Sequence, residues 1–196
     1  KNNKHFIKII TQAMQNSTLK KIICFGIKPN SPETKYGYII PGKPYSKYIN
    51  KIIRFEEKPS LLKARNLIKK NALWNSGMFL FSCSSILNEI NKYVPNLSNQ
   101  IQKSLDNSNK DMDFIRLDKK FFSKVKSISI DYAVLEKTQN AYVFPTNIKW
   151  NDLGTYNSLW EIGKKDKQNN VIRGDVVLNN VKNSYIHSEN NLVTVS

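Results

Sequence analysis

The stretch KKIICFGI (residues 20–27) predicts a buried β-strand, because β-branched and aromatic residues dominate it. On both sides of it, strand patterns and helix patterns alternate along the chain. Further strands are predicted at residues 36–40, 48–58, 73–82, 128–130 and 141–145, and helices at residues 5–15, 60–71, 84–94, 95–105, 131–137 and 155–163. Polar loops are predicted at residues 28–35, 41–46 and 106–113. The alternation is typical of a layered α/β domain.

The helix predicted at residues 60–71 begins with a capping signal. Ser60 follows Pro59 and can accept a hydrogen bond from the first turn of the helix. The apolar residues that we expect to face inward are Leu61, Leu62, Leu67 and Ile68.

The pattern changes after the polar stretch at residues 164–170. Residues 171–196 carry short β-rich segments and small turns, without a helix signal. We therefore predict one α/β domain over residues 1–167 and the beginning of a separate β-rich module over residues 168–196.

The composition favours a soluble globular protein. The 196 residues are 40% hydrophobic and 11% aromatic, and no run reaches the roughly 18 apolar residues that a membrane helix needs. Residues 1–5 lead into an amphipathic pattern rather than a signal peptide.

Cys24 and Cys83 lie in apolar runs, which predicts two reduced, buried thiols and a cytoplasmic location. His5 and His187 lack the spacing of zinc ligands.

The formal net charge of +16 raises the question of a polyanionic partner. Residues 1–70 hold 16 basic and 3 acidic side chains, so this part can attract a nucleoside triphosphate or a sugar phosphate. Only four of the 31 basic residues are arginines, the side chain that nucleic-acid recognition favours, and no nucleic-acid-binding motif accompanies them. We predict no nucleic-acid partner and no membrane partner.

Two segments offer polar groups suited to a sugar phosphate. In Tyr36-Gly37-Tyr38, a glycine between two tyrosines exposes backbone groups beside aromatic faces, although an edge strand has the same appearance. In Glu57-Lys58-Pro59, a carboxylate can accept sugar hydroxyls and an ammonium can pair with a phosphate. A solvated strand end is the alternative for this second segment.

Two further segments carry polar residues that could bind a ligand, one within an apolar strand pattern and the other in a tight loop. In Asn75-Ser76-Gly77, the asparagine amide can read a hydroxyl that both donates and accepts, and a buried Asn-Ser pair requires partners. Asp152 lies in a tight loop and can either hold Mg²⁺ or cap the helix that begins near Thr155.

Taken together and in this order, the segments resemble the mannose-1-phosphate guanylyltransferases, the bacterial type often fused to a mannose-6-phosphate isomerase domain. The matching stretches are FGIKPNSPETKYGYI (25–39), RFEEKP (54–59), LWNSGMFLF (73–81), SIDYAVLEKT (129–138) and WNDLGTYNSLWE (150–161). The stretch at residues 174–193 is similar to the start of that family's β-helical region. The resemblance covers nearly the whole chain.

The resemblance implies a nucleotidyltransferase, Rossmann-like α/β fold with a mixed sheet flanked by helices. It also implies synthesis of GDP-mannose and pyrophosphate from GTP and mannose 1-phosphate, with Mg²⁺ as cofactor. Glu57 would bind mannose hydroxyls and Lys58 the sugar phosphate, while Asn75 and the backbone near Gly37 would hold the sugar. The remaining assignments are Tyr36, Tyr38, Ser76 and Gly77 in the sugar site, Asp152 as the metal ligand, and Asp131 as either a wall of the site or a helix cap.

Two departures from the family pattern concern the loop and the chain's extent. Lys35 replaces the first glycine of a Thr-Gly-Tyr-Gly-Tyr motif, which predicts a modest change in loop geometry. The glycine-rich nucleotide loop and a second metal-binding aspartate are expected upstream of Lys1, so we expect the isolated 196-residue chain to be inactive. The alternatives are another sugar-1-phosphate nucleotidyltransferase or a non-catalytic sugar-nucleotide-binding relative. A homo-oligomer is left open.

Overall fold

A computed structural model describes residues 3–16 and 20–196. The chain divides into two compact units, Lys1–Ile148 and Lys149–Ser196. Within the described ranges, no helix combines the length and the apolar character that crossing a membrane requires.

The first unit contains a mixed sheet that closes on itself. Its strands are β1 (Ile22–Ile27), β2 (Tyr38–Pro44), β3 (Asn50–Glu56), β4 (Leu73–Leu80) and, after a separate hairpin of β5 (Asn109–Asp111) and β6 (Phe114–Arg116), β7 (Ala141–Thr146). The spatial order is β1-β4-β2-β3-β7, with β7 returning to β1. β1 runs parallel to β7, whereas the other neighbours are antiparallel. The predicted mixed sheet is confirmed, and its closure into a small barrel is an addition that the sequence pattern did not indicate.

Helices cover this sheet. They are α1 (Asn3–Asn16), α2 (Leu61–Lys69), α3 (Cys83–Tyr93), α4 (Pro95–Asp106) and α5 (Lys119–Phe122), followed by a π-helical turn at Asp131–Leu135. Ser60 caps α2 by accepting a hydrogen bond from the Lys63 amide, as the sequence predicts. Ser82 caps α3 by accepting a hydrogen bond from the Ser85 amide. The helix therefore begins at Cys83, whereas the sequence predicts a start at residue 84.

Strand β1 joins two apolar cores because all six of its residues are buried and successive side chains face opposite sides. Ile22 and Cys24 pack with residues from α3 and the π-helical turn. Ile23 and Phe25 pack with Ile9 and other residues on the opposite face. The strand that the sequence identifies most clearly is therefore the centre of the first unit.

Several predictions about local structure are wrong. Residues 41–44 continue β2 rather than forming a loop, and residues 109–111 form a strand within the predicted loop at 106–113. Residues 128–130 are not a strand. Leu61 and Leu62 are exposed, whereas the prediction for Leu67 is correct, since α2 buries Leu67 together with Ala64, three residues before it on the same face.

The cysteine prediction is correct for one residue of the two. Both thiols are free, but only Cys24 is buried, whereas Cys83 begins α3 and is exposed. Burial, together with the negative charge of Asp131, raises the pKa of the Cys24 thiol far above its ordinary value.

The second unit consists of a helix and short parallel strand pairs. After α6 (Tyr156–Ile162) come β8 (Val171–Arg173), β9 (Val176–Leu178), β10 (Tyr185–His187) and β11 (Val193–Val195). β8 pairs in parallel with β10, and β9 with β11. Each pair joins strands 14 or 17 residues apart, Val171 with Tyr185 and Val176 with Val193. The assignment of these strands to a β-helical module stays a prediction, as does the domain boundary at residue 167.

Candidate active site

The candidate site lies where β1 ends and β4 begins. Antiparallel pairing sets Gly26 opposite Asn75 and Ile27 opposite Trp74. β2 starts beside them, because Tyr38 pairs with Trp74 on one side and with Glu56, the last residue of β3, on the other. The ends of β1 and β3 and the starts of β2 and β4 thus lie together at one edge of the sheet.

Gly37 lies at the centre of this edge, in close contact with its neighbours. A Cβ atom at this position would lie 2.5 Å from Oε2 of Glu57 and 3.1 Å from Cζ of Phe55. The Gly37 carbonyl accepts a hydrogen bond from the Asn75 backbone amide at 2.7 Å. The residue is therefore glycine because a carboxylate occupies the space of a side chain.

The Asn75 side chain is buried and oriented by two hydrogen bonds. Its Nδ2 donates to Oδ1 of Asp131 at 3.1 Å, and its Oδ1 accepts from the Gly77 amide at 3.3 Å. Gly77 has a positive φ of 73°, a backbone conformation that favours glycine. An asparagine amide has a second N–H and a second lone pair, and neither makes a hydrogen bond within residues 3–16 and 20–196.

Glu57 and Lys58 follow the end of β3, and both depart from regular strand geometry. Lys58 has a φ of +45°, in the left-handed region that lysine rarely adopts. Its Nζ lies 3.3 Å from Oε1 of Glu57, and the Glu57 side chain is 9% exposed against 59% for Lys58. This ion pair places the two side chains in one region beside Pro59, and their contact with a ligand stays a prediction.

The π-helical turn supplies two carboxylates to the same region. Asp131 begins the turn and accepts from Asn75, while Glu136 follows the turn and accepts from the Glu57 backbone amide at 3.0 Å. Of the two roles that the resemblance leaves open for Asp131, a wall of the site agrees with this geometry. Its side chain is directed to the neighbouring strand β4.

Burial controls the acid–base properties of the site. It raises the pKa of Glu57, and the nearby negative charge of Asp131 adds to this effect, whereas the Lys58 ammonium opposes it. Burial likewise raises the pKa of Asp131, against the stabilising hydrogen bonds from its own backbone amide and from the Ser129 side chain. The two carboxylates are therefore held close together at the expense of their charged forms.

Three of the residues expected in the sugar site have structural partners. Tyr38 is fully buried and its hydroxyl donates to the Glu33 carbonyl at 2.8 Å. The Ser76 hydroxyl donates to the Phe25 carbonyl at 2.7 Å, which ties it to β1. Tyr36 packs its ring edge-on against Trp74, with centroids 5.0 Å apart. A contact between any of these three and a ligand stays a prediction.

Asp152 belongs to the second unit, in the loop before α6. Thr155 caps α6 by accepting from the Ser158 amide at 3.2 Å, so the alternative that Asp152 is the cap is wrong. The Asp152 carboxylate is exposed beside Gly154. A lone carboxylate fits the few protein ligands that Mg²⁺ takes alongside phosphates and water. Among the described residues, no group of three or more His, Cys, Asp or Glu side chains is arranged to hold a metal ion.

Glu136 is the site residue that sequence reasoning missed. It lies in the SIDYAVLEKT stretch, five residues after Asp131. On an α-helix the residues that share a face are three or four apart, so this spacing gives no signal that the two carboxylates belong together.

Comparison with known proteins defines the class. The profile of the nucleotidyl transferase family, described as "Nucleotidyl transferase", matches residues 2–169. The chain therefore belongs to the nucleotidyl transferase family, which confirms the fold class and the family level of the resemblance.

The chain is also similar to individual proteins within this family. The chain is 45% identical to a mannose-1-phosphate guanylyltransferase of Escherichia coli over 195 residues, which cover 97% of this chain and 42% of the relative. It is 41% identical to a protein of the same name from Salmonella muenchen, covering 99% of this chain and 41% of the relative. The chain thus spans about two fifths of the length of these curated relatives.

A solved structure supports the fold. The crystal structure described as a mannose-1-phosphate geranyltransferase from Thermus thermophilus superposes with a TM-score of 0.80 at 22% identity. The match covers 99% of this chain and 56% of that chain.

Proposed function

We propose that the full-length protein transfers a guanylyl group from GTP to mannose 1-phosphate, giving GDP-mannose and pyrophosphate. This proposal is supported by one cluster: Glu57 and Asn75 lie against Gly37, and Lys58 pairs with Glu57. The cluster combines a largely buried carboxylate, an exposed ammonium and an amide oriented by Asp131. The names of the E. coli and Salmonella relatives support the choice of guanylyl donor and mannose acceptor.

The sugar would bind through the groups that the fold has already oriented. The Glu57 carboxylate can accept two hydroxyls, and it occupies the space beside Gly37 that a side chain would otherwise fill. The remaining N–H and lone pair of the Asn75 amide can donate to one hydroxyl and accept from another. Asp131 and the Gly77 amide already hold the Asn75 side chain in one orientation. Little conformational entropy is therefore lost at this side chain when the sugar binds.

The phosphate of the sugar would bind to Lys58. An ammonium carries three donors, so Lys58 can keep its contact with Glu57 and still pair with a phosphate oxygen. Its greater exposure places the charge on the solvent side of the carboxylate. One short segment would thus bind both ends of a sugar phosphate.

In the reaction, a phosphate oxygen of mannose 1-phosphate attacks the α-phosphorus of GTP in line with the leaving group. The new P–O bond forms as the bond to the β-phosphate breaks, and pyrophosphate leaves. Such transfers depend mainly on positioning and charge neutralisation. Lys58 would orient the attacking phosphate and reduce its repulsion from the triphosphate.

Asp152 would hold the divalent cation, which we propose to be Mg²⁺. Its carboxylate is the hard oxygen ligand that this ion prefers. Bound Mg²⁺ supplies neutralisation of the charge that develops on the α-phosphate and the leaving pyrophosphate. With Thr155 as the cap of α6, the Asp152 carboxylate is not needed for that helix.

The remaining parts of the proposal concern partners and location. GTP and mannose 1-phosphate are the proposed substrates, the cytoplasm is the proposed location, and neither nucleic acid nor membrane is a proposed partner. We retain residues 1–167 as the nucleotidyltransferase part and residues 168–196 as the start of the β-rich module.

A substrate panel tests the function. The full-length protein is incubated with GTP and mannose 1-phosphate, and pyrophosphate release is followed. Glucose 1-phosphate replaces the sugar in one control, and ATP or UTP replaces the donor in others. We expect the GTP and mannose 1-phosphate pair to give the highest kcat/KM. Faster turnover of another pair would identify a different sugar nucleotidyltransferase, and absence of release with every pair would favour a non-catalytic relative.

A further inference from the structure

The π-helical turn brings Asp131 and Glu136 to one side of the chain. The Glu136 backbone amide donates to the Asp131 carbonyl at 3.0 Å, the i to i+5 bond of a π-helix. This bond stacks residues five apart, whereas an α-helical turn would stack residues three or four apart. Single π-helical turns are rare and often occur at functional sites.

Both carboxylates lie near the segment that carries Glu57 and Lys58. Asp131 acts on it through charge, and Glu136 accepts the Glu57 backbone N–H at 3.0 Å across 79 residues of sequence. Glu136 is exposed, so this bond is not a by-product of core packing. It fixes the residue directly before Lys58.

Lys58 requires such support because its backbone is in the left-handed region. With a φ of +45° it occupies a conformation that persists only where neighbouring groups determine it. Pro59 adds to the cost of this conformation, since its ring disfavours the α region for the residue before it. The hydrogen bond of the Glu57 amide to Glu136 anchors the chain immediately before Lys58.

We propose that Glu136 is a positioning residue, which holds the Glu57 amide and thereby keeps the Lys58 ammonium at the sugar-phosphate site. This inference rests on the proposed function and adds a residue that touches no substrate. Glu136 acts in this role by accepting a hydrogen bond and not through its negative charge, because the group that it binds is a neutral backbone amide.

Substitutions separate the acceptor from the charge. Glu136→Gln keeps an oxygen that can accept the Glu57 N–H, whereas Glu136→Ala removes it. Glu189→Ala, at an exposed glutamate of the second unit, is the matched control for loss of one negative charge. All three are made in the full-length protein and compared by thermal melting, so that a folding defect is recognised.

The first readout is steady-state kinetics with GTP saturating. We expect Glu136→Ala to raise the KM for mannose 1-phosphate about tenfold with kcat changed less than about twofold, while Glu136→Gln and Glu189→Ala stay within about twofold of wild type. An unchanged KM in Glu136→Ala would overturn the inference. A KM that rises equally in Glu136→Gln would show that charge, not positioning, is the cause.

The second readout does not depend on activity. Amide hydrogen exchange of residue 57 is measured in wild type and in both variants. We expect exchange to accelerate at least fivefold in Glu136→Ala and to stay near wild type in Glu136→Gln. Unaltered exchange in Glu136→Ala would overturn the positioning role whatever the enzyme does. If wild type makes no GDP-mannose but exchange responds as expected, the proposed function fails while the anchoring of Glu57 stands.

Discussion

The Asn75 side chain donates from Nδ2 to Oδ1 of Asp131 at 3.1 Å and so joins strand β4 to a π-helical turn 56 residues later. This bond fixes the orientation of an amide that would otherwise be free to flip its oxygen and nitrogen. Burial raises the pKa of Glu57, and the negative charge of Asp131 adds to that effect. The carboxylate that orders the Asn75 amide therefore also contributes to the electrostatics of Glu57.

We predict that Asp131→Asn stabilises the protein at neutral pH while weakening its function. Because burial raises the folded-state pKa of Asp131, the charged form is less favourable in the folded than in the unfolded state. The protein therefore loses stability through Asp131 as pH rises from the ordinary pKa to the raised pKa. The substitution should therefore raise Tm by a few degrees near pH 7.

The pH dependence of that Tm difference is the check on Asp131. We expect the difference between Asp131→Asn and wild type to shrink toward zero as pH falls through the raised pKa and then below the ordinary value, where Asp131 is neutral in both states. Asp113→Asn, at an exposed aspartate, is the control and should show no such difference. A lower Tm for Asp131→Asn at pH 7 would contradict the account.

Gly37→Ala should disable sugar binding more than it destabilises the fold. The added methyl would lie 2.5 Å from Oε2 of Glu57, so the carboxylate must move away from the site. We expect the KM for mannose 1-phosphate to rise more than tenfold, with a stability loss of about 1–3 kcal/mol, typical of overpacking.

Gly42→Ala is the matched control for this clash. Its Cβ would lie 2.6 Å from Cγ1 of Ile53, a comparable contact outside the site, and Ile53 is 71% exposed. This variant should keep the wild-type KM. An equal rise in KM for both variants would mean that general loosening of β2, not displacement of Glu57, impairs binding.

Two substitutions in the loop before α6 should have opposite effects, one on activity and the other on stability. Asp152→Asn should lower kcat by at least tenfold and leave Tm unchanged, because Thr155 rather than Asp152 caps the helix. Thr155→Ala should lower the free energy of unfolding by about 0.5–2 kcal/mol through loss of the cap. Urea denaturation and steady-state kinetics on both variants separate the roles. A stability loss in Asp152→Asn with unaltered kcat would reverse them.

The two cysteines should differ in reactivity. Cys83 is exposed, whereas burial raises the pKa of Cys24 so that almost no thiolate forms near pH 8. Alkylation of the native protein followed by peptide mapping should modify Cys83 within minutes and leave Cys24 intact until denaturant is added. Equal rates for the two thiols in the native state would show that the β1 core is open.

The sequence predicted the elements better than their arrangement. KKIICFGI has a composition that only a buried strand explains, and all six residues of β1 are buried. The closure of the sheet by β7 depends on long-range pairing of Asn50 with Val143, which leaves no local pattern. The inward face of α2 was misjudged because two adjacent leucines, Leu61 and Leu62, were given more weight than the small residue Ala64.

The sequence singled out Glu57, Lys58 and Asn75 because polar residues stand out beside apolar strands. The structure places Glu57 and Asn75 against Gly37 and pairs Lys58 with Glu57, while the binding roles of all three stay predictions. Glu136 was missed because its spacing from Asp131 is meaningful only on a π-helical turn. The finding that Asp152 does not cap α6 required the hydrogen bond that Thr155 accepts, and the role of Asp152 as a metal ligand stays a prediction.

Lys58 is proposed to bind the phosphate of mannose 1-phosphate, and the other roles in the site depend on this contact. The most direct measurement is the affinity of the full-length protein for this ligand, by titration calorimetry, in wild type, Lys58→Ala and Lys51→Ala. Alanine at position 58 carries the same left-handed backbone strain as lysine, and Lys51 is an exposed lysine of β3 that serves as the control. We predict that Lys58→Ala weakens binding at least tenfold, about 1.4 kcal/mol, while Lys51→Ala binds as wild type does. Equal affinity of Lys58→Ala and wild type would contradict the claim.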